Sequence, residues 1–212
     1  MKRIAIIDVG SGNLYSVEKA VRHVAQENTE IFLCSDAAEL AQATHVILPG
    51  VGAFADCMDR LNALCGMREA LEAKVLQRSS PFLGICVGMQ MLFERGVEYG
   101  STQGLGWFKG EVLALEPSDK SLKIPHMGWN ELQLSIEHPL LEGIEEGDHA
   151  YFVHSYHCVP SEDVTAVTVD YGGALVAAIA RDNLFATQFH PEKSQKTGLR
   201  ILQNFVQLPH AS

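Results

Sequence analysis

No two cysteines of this sequence stand in a C-x-x-C pair, and their number, five, is odd. That excludes a zinc ribbon and argues against a disulfide framework. Cys34, Cys57, Cys65, Cys86 and Cys158 therefore read as free thiols, mostly small buried hydrophobes. Long hydrophobic runs are missing as well. The longest wholly apolar run is Ala174 to Ala180, far short of the roughly 20 residues that a membrane span needs. At the N-terminus Asp8 interrupts the run Ile4-Ala5-Ile6-Ile7 too early for a signal peptide, so the expected location is the cytoplasm. Positive charge is scarce: 16 Lys and Arg stand against 26 Asp and Glu, a formal net charge of −10. With no basic cluster to override that total, a nucleic-acid partner is not expected. Repeats, low-complexity stretches and a Ser/Pro-rich linker are absent too. No G-x-x-x-x-G-K loop occurs, and Gly10-x-Gly12 lacks the third glycine of a dinucleotide fingerprint.

What is present is ordinary for a globular chain. The 212 residues, 47% hydrophobic and 20% charged, suit one domain spanning 1–212. Such a chain buries about 70% of its unfolded surface and needs no covalent staple. Its first 95 residues alternate strand and helix. Strands are expected at Arg3–Asp8, Ile31–Leu33, Val46–Leu48 and Phe82–Ile85, each short and apolar on both faces. Between them lie a turn at Gly10-Ser11-Gly12-Asn13 with Asn13 as helix N-cap, and a helix from Leu14. A short helix over Ala37–Ala41, helical periodicity over 53–78 broken near Gly66, and a helix over Met89–Phe93 complete this half. The pattern implies a three-layer, mostly parallel, flavodoxin-like α/β sheet with helices on both faces. The second half reads as a β-rich extension, with strands at Glu111–Leu115, Glu131–Leu134, Ala150–His154, Thr165–Asp170, Leu175–Ala180 and Leu184–Phe189. One helix, Thr197–Val206, closes it.

Chemistry concentrates at Gly84-Ile85-Cys86-Val87-Gly88, between the fourth strand and its helix. This is a nucleophile-elbow pattern with Cys in the nucleophile position. A sharp strand-to-helix turn crowds the positions two before and two after, which favours Gly at both. The turn lifts the thiol clear of the sheet edge and sets it at a helix N-terminus, whose dipole favours thiolate. The Val87 N–H is left to face an oxyanion. A thiolate needs a base, and the base an orienting group. His190-Pro191-Glu192 supplies both: in extended chain, residues 190 and 192 point the same way, so the carboxylate lies beside the ring. Both lie at the C-terminal edge of the strands, where ligands of open α/β sheets bind. The other reading of the elbow is a buried Cys in a glycine-rich turn, and that of H-P-E a surface turn. His149, His154 and His157 invite a metal reading, but 154 and 157 have opposite strand parity, so no metal site is expected. His23 and His45 read as edge or surface residues.

These segments together resemble the class I, triad-type glutamine amidotransferases. Gly84 to Gln90 resembles the family's nucleophile motif, His190-Pro191-Glu192 its second triad segment, and Pro49-Gly50-Val51-Gly52 its oxyanion loop. Ile7 to Leu14, Pro125-His126-Met127-Gly128-Trp129-Asn130, Tyr151 to Tyr156 and His190 to Gln195 are similar to those members that serve a separate (β/α)₈-barrel cyclase. The resemblance implies glutamine as substrate, Cys86 as nucleophile, His190 and Glu192 as the rest of the triad, and no cofactor. It implies an oxyanion hole at Gly50, Val51, Gly52 and Val87, and glutamine contacts from Gln90, Ser155 and Tyr156. It places Trp129, Tyr151 and Lys193 at the partner interface; otherwise Trp129 is a core aromatic and Lys193 a solvated charge. It implies, too, an oxyanion loop incomplete without the partner. With no synthase domain within these 212 residues, the ammonia acceptor is expected on another chain. Three alternatives stay open: an amidotransferase subunit for anthranilate, aminodeoxychorismate or GMP synthesis, a Cys-elbow α/β protein outside glutamine chemistry, and a flavodoxin-like binding module.

Overall fold

The computed structural model describes residues 1–10 and 13–210; Ser11 and Gly12 of the expected first turn lie outside the described residues. In chain order the elements are β1 (Lys2–Ile7), α1 (Leu14–Val24), β2 (Thr29–Cys34), α2 (Ala37–Leu40), β3 (His45–Gly50), α3 (Phe54–Ala63), α4 (Met67–Leu71), β4 (Phe82–Cys86) and α5 (Val87–Gln90). There follow β5 (Phe93–Gly96), β6 (Thr102–Gln103), β7 (Phe108–Ala114), β8 (His126–Glu131), β9 (Gln133–Leu134), β10 (His149–His154), β11 (Tyr156–Pro160), β12 (Thr165–Asp170), β13 (Ala174–Arg181), β14 (Leu184–Thr187) and α6 (Gln195–Gln207). A wide π turn, Glu72–Gln77, prolongs α4.

The central sheet has eight strands in the order β2-β1-β3-β4-β14-β13-β12-β9. The first five are mutually parallel and the last three antiparallel. β3 and β4 are buried at every position, as continuous apolar strands covered on both faces must be. α1 buries Val17, Ala20 and Val21 at helical spacing. The break in the 53–78 helix falls where the periodicity put it, at Gly66, which sits at φ 71°. Two smaller sheets, β10-β8 and β11-β7-β5-β6, pack beside the large one.

Several expectations are corrected. The helix expected over Met89–Phe93 is instead a single turn, Val87–Gln90. Backbone bonds from Leu105 N–H to the Met91 carbonyl and from Trp107 N–H to that of Leu92 capture the chain and lead it into β5. Of the expected strand 131–134 only Glu131 falls in β8, whose first five residues were not expected as strand, and Gln133–Leu134 form β9. Between them lies buried Leu132, whose N–H goes to the Asp148 carbonyl, and β8 and β9 join different sheets. β14 ends at Thr187, and β5, β6 and β11 were not foreseen. Asn13 stands at the N-cap of α1 without a capping side-chain bond. His45 is wholly buried against the Phe205 ring, not at the surface, and burial lowers its pKa to about 4. Cys65 is exposed, while the other four thiols are buried. No helix among the described residues is long and apolar enough to cross a membrane.

Two registers position the site. Gly50 pairs with Cys86 across β3 and β4, which sets the Pro49–Gly52 loop beside the elbow. Thr187 pairs with Ile85 across β14 and β4, so the chain leaving β14 passes the sulfur.

Candidate active site

Cys86 ends β4 at φ 56° and ψ −111°, a conformation that L-residues rarely adopt. The flanking glycines are steric necessities. A Cβ on Gly88 would lie 1.8 Å from the Leu48 carbonyl oxygen, and one on Gly84 2.9 Å from that of Gly88. A Cβ on Gly50 would lie 2.7 Å from the Gly88 nitrogen, so β3 and the elbow close on each other only because both are bare. Because α5 starts at Val87, its N–H has no intrahelical acceptor and is free for an anion. A single turn of helix has little dipole, and the charge beside the sulfur is that of His190.

The His190 Nδ1–H donates to Glu192 Oε1 at 2.9 Å, with 3% and 1% of the two side chains exposed. The expected pairing is present, though not through an extended chain: Pro191–Lys193 forms a 3₁₀ turn that folds the carboxylate back onto the ring. Burial disfavours charge on His190. The neighbouring Cys86 sulfur and the hydrogen-bonded Glu192 carboxylate outweigh that and raise its pKa to about 9. The ring is clamped from behind. His190 N–H donates to the Tyr151 carbonyl, Ser194 Oγ donates to the His190 carbonyl, and Tyr151 N–H donates to Ser194 Oγ. Glu192 Oε2 is buried with no protein partner among the described residues, so its charge is answered from the His190 side alone.

Cys86 opens into a cavity of about 610 Å³. Val51, Gly52, Val87, Gln90, Ser155, Tyr156, His190 and Lys193 line it, so the predicted nucleophile, base, loop and substrate residues converge. Gly50 lies behind the wall, where its role is close packing. Gly52 stands at φ 96°, and the Cys57 thiol donates to the Val51 carbonyl at 3.4 Å. Gln90 donates from Nε2 to both the Tyr156 carbonyl and Gln188 Oε1, at 3.0 Å each. Its free acceptor, Oε1, is what remains for a ligand N–H. Trp129, Tyr151 and Lys193 gather on the surface: the indole and phenol rings are 6.0 Å apart, and Lys193 Nζ is 5.8 Å from the Tyr151 ring centre. At 46% exposed, Trp129 is no core aromatic. No cluster of metal-ligating side chains occurs among the described residues.

Two residues escaped sequence reasoning. Gln188 donates from Nε2 to Cys86 Sγ at 3.8 Å; its strand parity with His190 was the available signal. Glu98 brings a carboxylate to the cavity, its Oε2 accepting from Phe54 N–H. It sits in a loop with no motif to mark it.

The glutamine amidotransferase class-I family model matches residues 5–208. The chain belongs to the class-I glutamine amidotransferase family. This amidotransferase is 53% identical over 209 residues to the imidazole glycerol phosphate synthase subunit HisH of Rhodospirillum rubrum, covering 96% of this chain and 98% of that one. It is 53% identical to the protein of the same name from Brucella suis, with the same coverage, and 48% to that of Cereibacter sphaeroides, over 95% and 96% of the two chains. Among solved structures its fold is similar to a glutamine amidotransferase (TM-score 0.72, 17% identity, 97% and 99% covered). It is similar also to the acivicin-bound glutaminase domain of Trypanosoma brucei CTPS (0.68, 15%, 100% and 96%).

Proposed function

We propose that this chain is the glutaminase subunit of an imidazole glycerol phosphate synthase, acting as one domain over 1–212 in the cytoplasm. The observation that carries the reading is the buried Cys86–His190–Glu192 line at the floor of a cavity walled by Gly52, Val87 and Gln90. The Cys86 sulfur attacks the side-chain amide carbon of glutamine, and the carbonyl π electrons move to oxygen. Backbone N–H groups of Val87 and of Val51 and Gly52 serve that oxyanion, with Gly50 packing behind them. Protonated His190 gives its proton to the departing nitrogen, the C–N bond breaks, and ammonia leaves a thioester on Cys86. Neutral His190 then takes a proton from water, hydroxide adds to the thioester, and glutamate and the Cys86 thiol are released. Glu192 holds the ring and stabilises its charge. Gln90, Ser155 and Tyr156 orient the substrate, and the Glu98 carboxylate suits its α-ammonium group.

The ammonia passes to a (β/α)₈-barrel cyclase subunit that docks over Trp129, Tyr151 and Lys193. There it reacts with a phosphoribulosyl aminoimidazole-carboxamide nucleotide to form imidazole glycerol phosphate in histidine biosynthesis. Without that partner the Pro49–Gly52 loop stays incomplete as an oxyanion hole, and glycines let it reorient at low cost. The relatives' common name favours this acceptor over anthranilate, aminodeoxychorismate or GMP synthesis. The test mixes the chain with a barrel cyclase, glutamine and the nucleotide, and measures glutamate and imidazole product. Glutamate release that rises when cyclase and nucleotide are added supports the reading. No product with an active cyclase refutes the acceptor, and no glutamate refutes the glutaminase.

A further inference from the structure

A second line of histidines runs behind the substrate cavity, and the triad does not use it. His126 on β8 and His154 on β10 are cross-strand partners, 3% and 7% exposed, with His126 Nδ1 3.0 Å from His154 Nε2. His126 is stacked between the rings of Phe152 and Tyr171, with centres 4.7 and 3.9 Å away. Burial lowers the pKa of His126 to about 4 and that of His154 to about 3, so both rings are neutral.

The protons on this line can be placed from its two ends. The Tyr156 carbonyl can only accept, so the His154 nitrogen 2.8 Å from it, Nδ1, carries hydrogen. A neutral His154 then has a bare Nε2, which must accept from His126 Nδ1–H. His126 Nε2 is bare in turn, and Asn130 Nδ2 donates to it at 3.3 Å. The other end agrees. Asn130 Oδ1 accepts from Glu131 N–H at 2.8 Å, and Nδ2 donates to the Asp170 carbonyl at 2.9 Å, which turns the amide the same way. Along the line from Asn130 through His126 and His154, each group therefore donates towards Tyr156. That carbonyl also accepts from Gln90, and Gln90, His154 and Tyr156 all line the cavity.

We propose that the Asn130–His126–His154 line is a positioning relay: it fixes the Tyr156 carbonyl and, through it, the Gln90 amide that receives the substrate side chain. This deepens the glutaminase reading and rests on it. His126 and His154 are positioning residues, acting through Tyr156 and Gln90 and touching no reacting atom.

Two variants of His126 separate hydrogen bonding from packing. His126→Phe keeps a ring between Phe152 and Tyr171 but leaves His154 Nε2 without its donor. His126→Asn keeps an N–H near the Nδ1 position but loses the stack. In the assembled synthase His126→Phe raises KM for glutamine about tenfold, the size that one buried hydrogen bond carries, with kcat close to wild type. His126→Asn retains a KM near wild type while its melting temperature falls. Alkylation of Cys86 by iodoacetamide keeps its wild-type rate in both. An unchanged KM in His126→Phe overturns the relay, as does a KM that rises in His126→Asn in step with lost stability. Should His126→Phe fail to fold, Asn130→Ala frees the outer end and raises KM about threefold; no rise overturns the proposal. Absence of glutamine hydrolysis in the unmutated synthase overturns the functional reading itself, a different result from any of these.

Discussion

Replacing Glu192 by Gln tests whether the third residue of the proposed triad acts by charge or by shape. The side chains are nearly isosteric, and a Gln carbonyl still accepts from His190 Nδ1–H, so ring orientation survives. What disappears is a negative charge on the atom 2.9 Å from the ring. At about 4 Å between charge centres and an effective dielectric near 20, that attraction is about 4 kcal/mol, or about three pKa units as an upper bound. The influence of the Cys86 sulfur remains, and so does burial, which opposes the charged form. With part of the attraction offset by solvent relaxation, a fall of about two units is expected, from about 9 towards about 7. In the proposed reaction the proton on His190 is given to the departing ammonia, so the alkaline limb of kcat/KM should follow this group. The assay is glutamate release by the assembled synthase between about pH 5 and 10. The variant's alkaline limb should sit about two units lower, with activity at pH 8 reduced about tenfold and little loss near pH 6. The stability sign agrees. A histidine raised on folding stabilises fully below its unfolded value of about 6.5, and that contribution is lost as pH rises through about 9. The wild type should therefore lose more melting temperature across that window than Glu192→Gln. An unmoved alkaline limb with a uniformly lower rate would refute the charge argument and leave Glu192 a purely geometric support.

Gly198→Ala should act on the same centre from outside. A Cβ there would lie 1.9 Å from the Pro191 carbonyl oxygen, so α6 must push the His190–Glu192 turn; kcat falls about a hundredfold while circular dichroism still shows a folded chain. Gly88→Ala meets the Leu48 carbonyl at 1.8 Å and should cost at least about 4 kcal/mol in urea unfolding, since neither backbone can yield. Trp129→Ala should weaken cyclase binding by about 2 kcal/mol in calorimetry with the subunit's own melting temperature unchanged, because the indole is exposed. Of the five thiols, only Cys65 should react within seconds with a bulky disulfide reagent, and Cys65→Ser should remove that phase and leave glutaminase activity intact.

The parallel half of the sheet and the elbow were legible because their signals are local. A strand buried on both faces is apolar at every position, and a turn that tolerates no Cβ shows its glycines at fixed offsets. β5, β6 and β11 were not legible, because what makes them strands is a partner far away in sequence. Phe93 pairs with Phe108, and Cys158 with Val112, across segments that share no periodicity. The one-turn α5 has the same explanation: its continuation is helical by pattern, but backbone bonds to Leu105 and Trp107 claim Met91 and Leu92 first. His45 was misplaced because a histidine between Thr44 and Val46 shows nothing in sequence of the Leu208 carbonyl that satisfies its Nε2.

The H-P-E segment shows how a correct pairing can rest on the wrong geometry. Strand parity requires an extended chain through residue 192, yet β14 ends at Thr187 and Pro191 opens a 3₁₀ turn. The contact survives because proline, with φ near −65°, is as suited to the first position of such a turn as to a strand end. In the turn Glu192 comes back over His190, and the Lys193 backbone N–H closes on the His190 carbonyl. An extended segment would hold the carboxylate only through its own rotamer. The turn instead holds it through Gly198, Ser194 and the Tyr151 backbone, so the orientation of the His190 imidazole is fixed by α6 and β10. β10 also carries Tyr151 towards the Trp129 surface and His154 towards the cavity wall. A displacement of that strand by a docking partner would therefore reach base and substrate wall together, through backbone bonds rather than through side chains that relax independently.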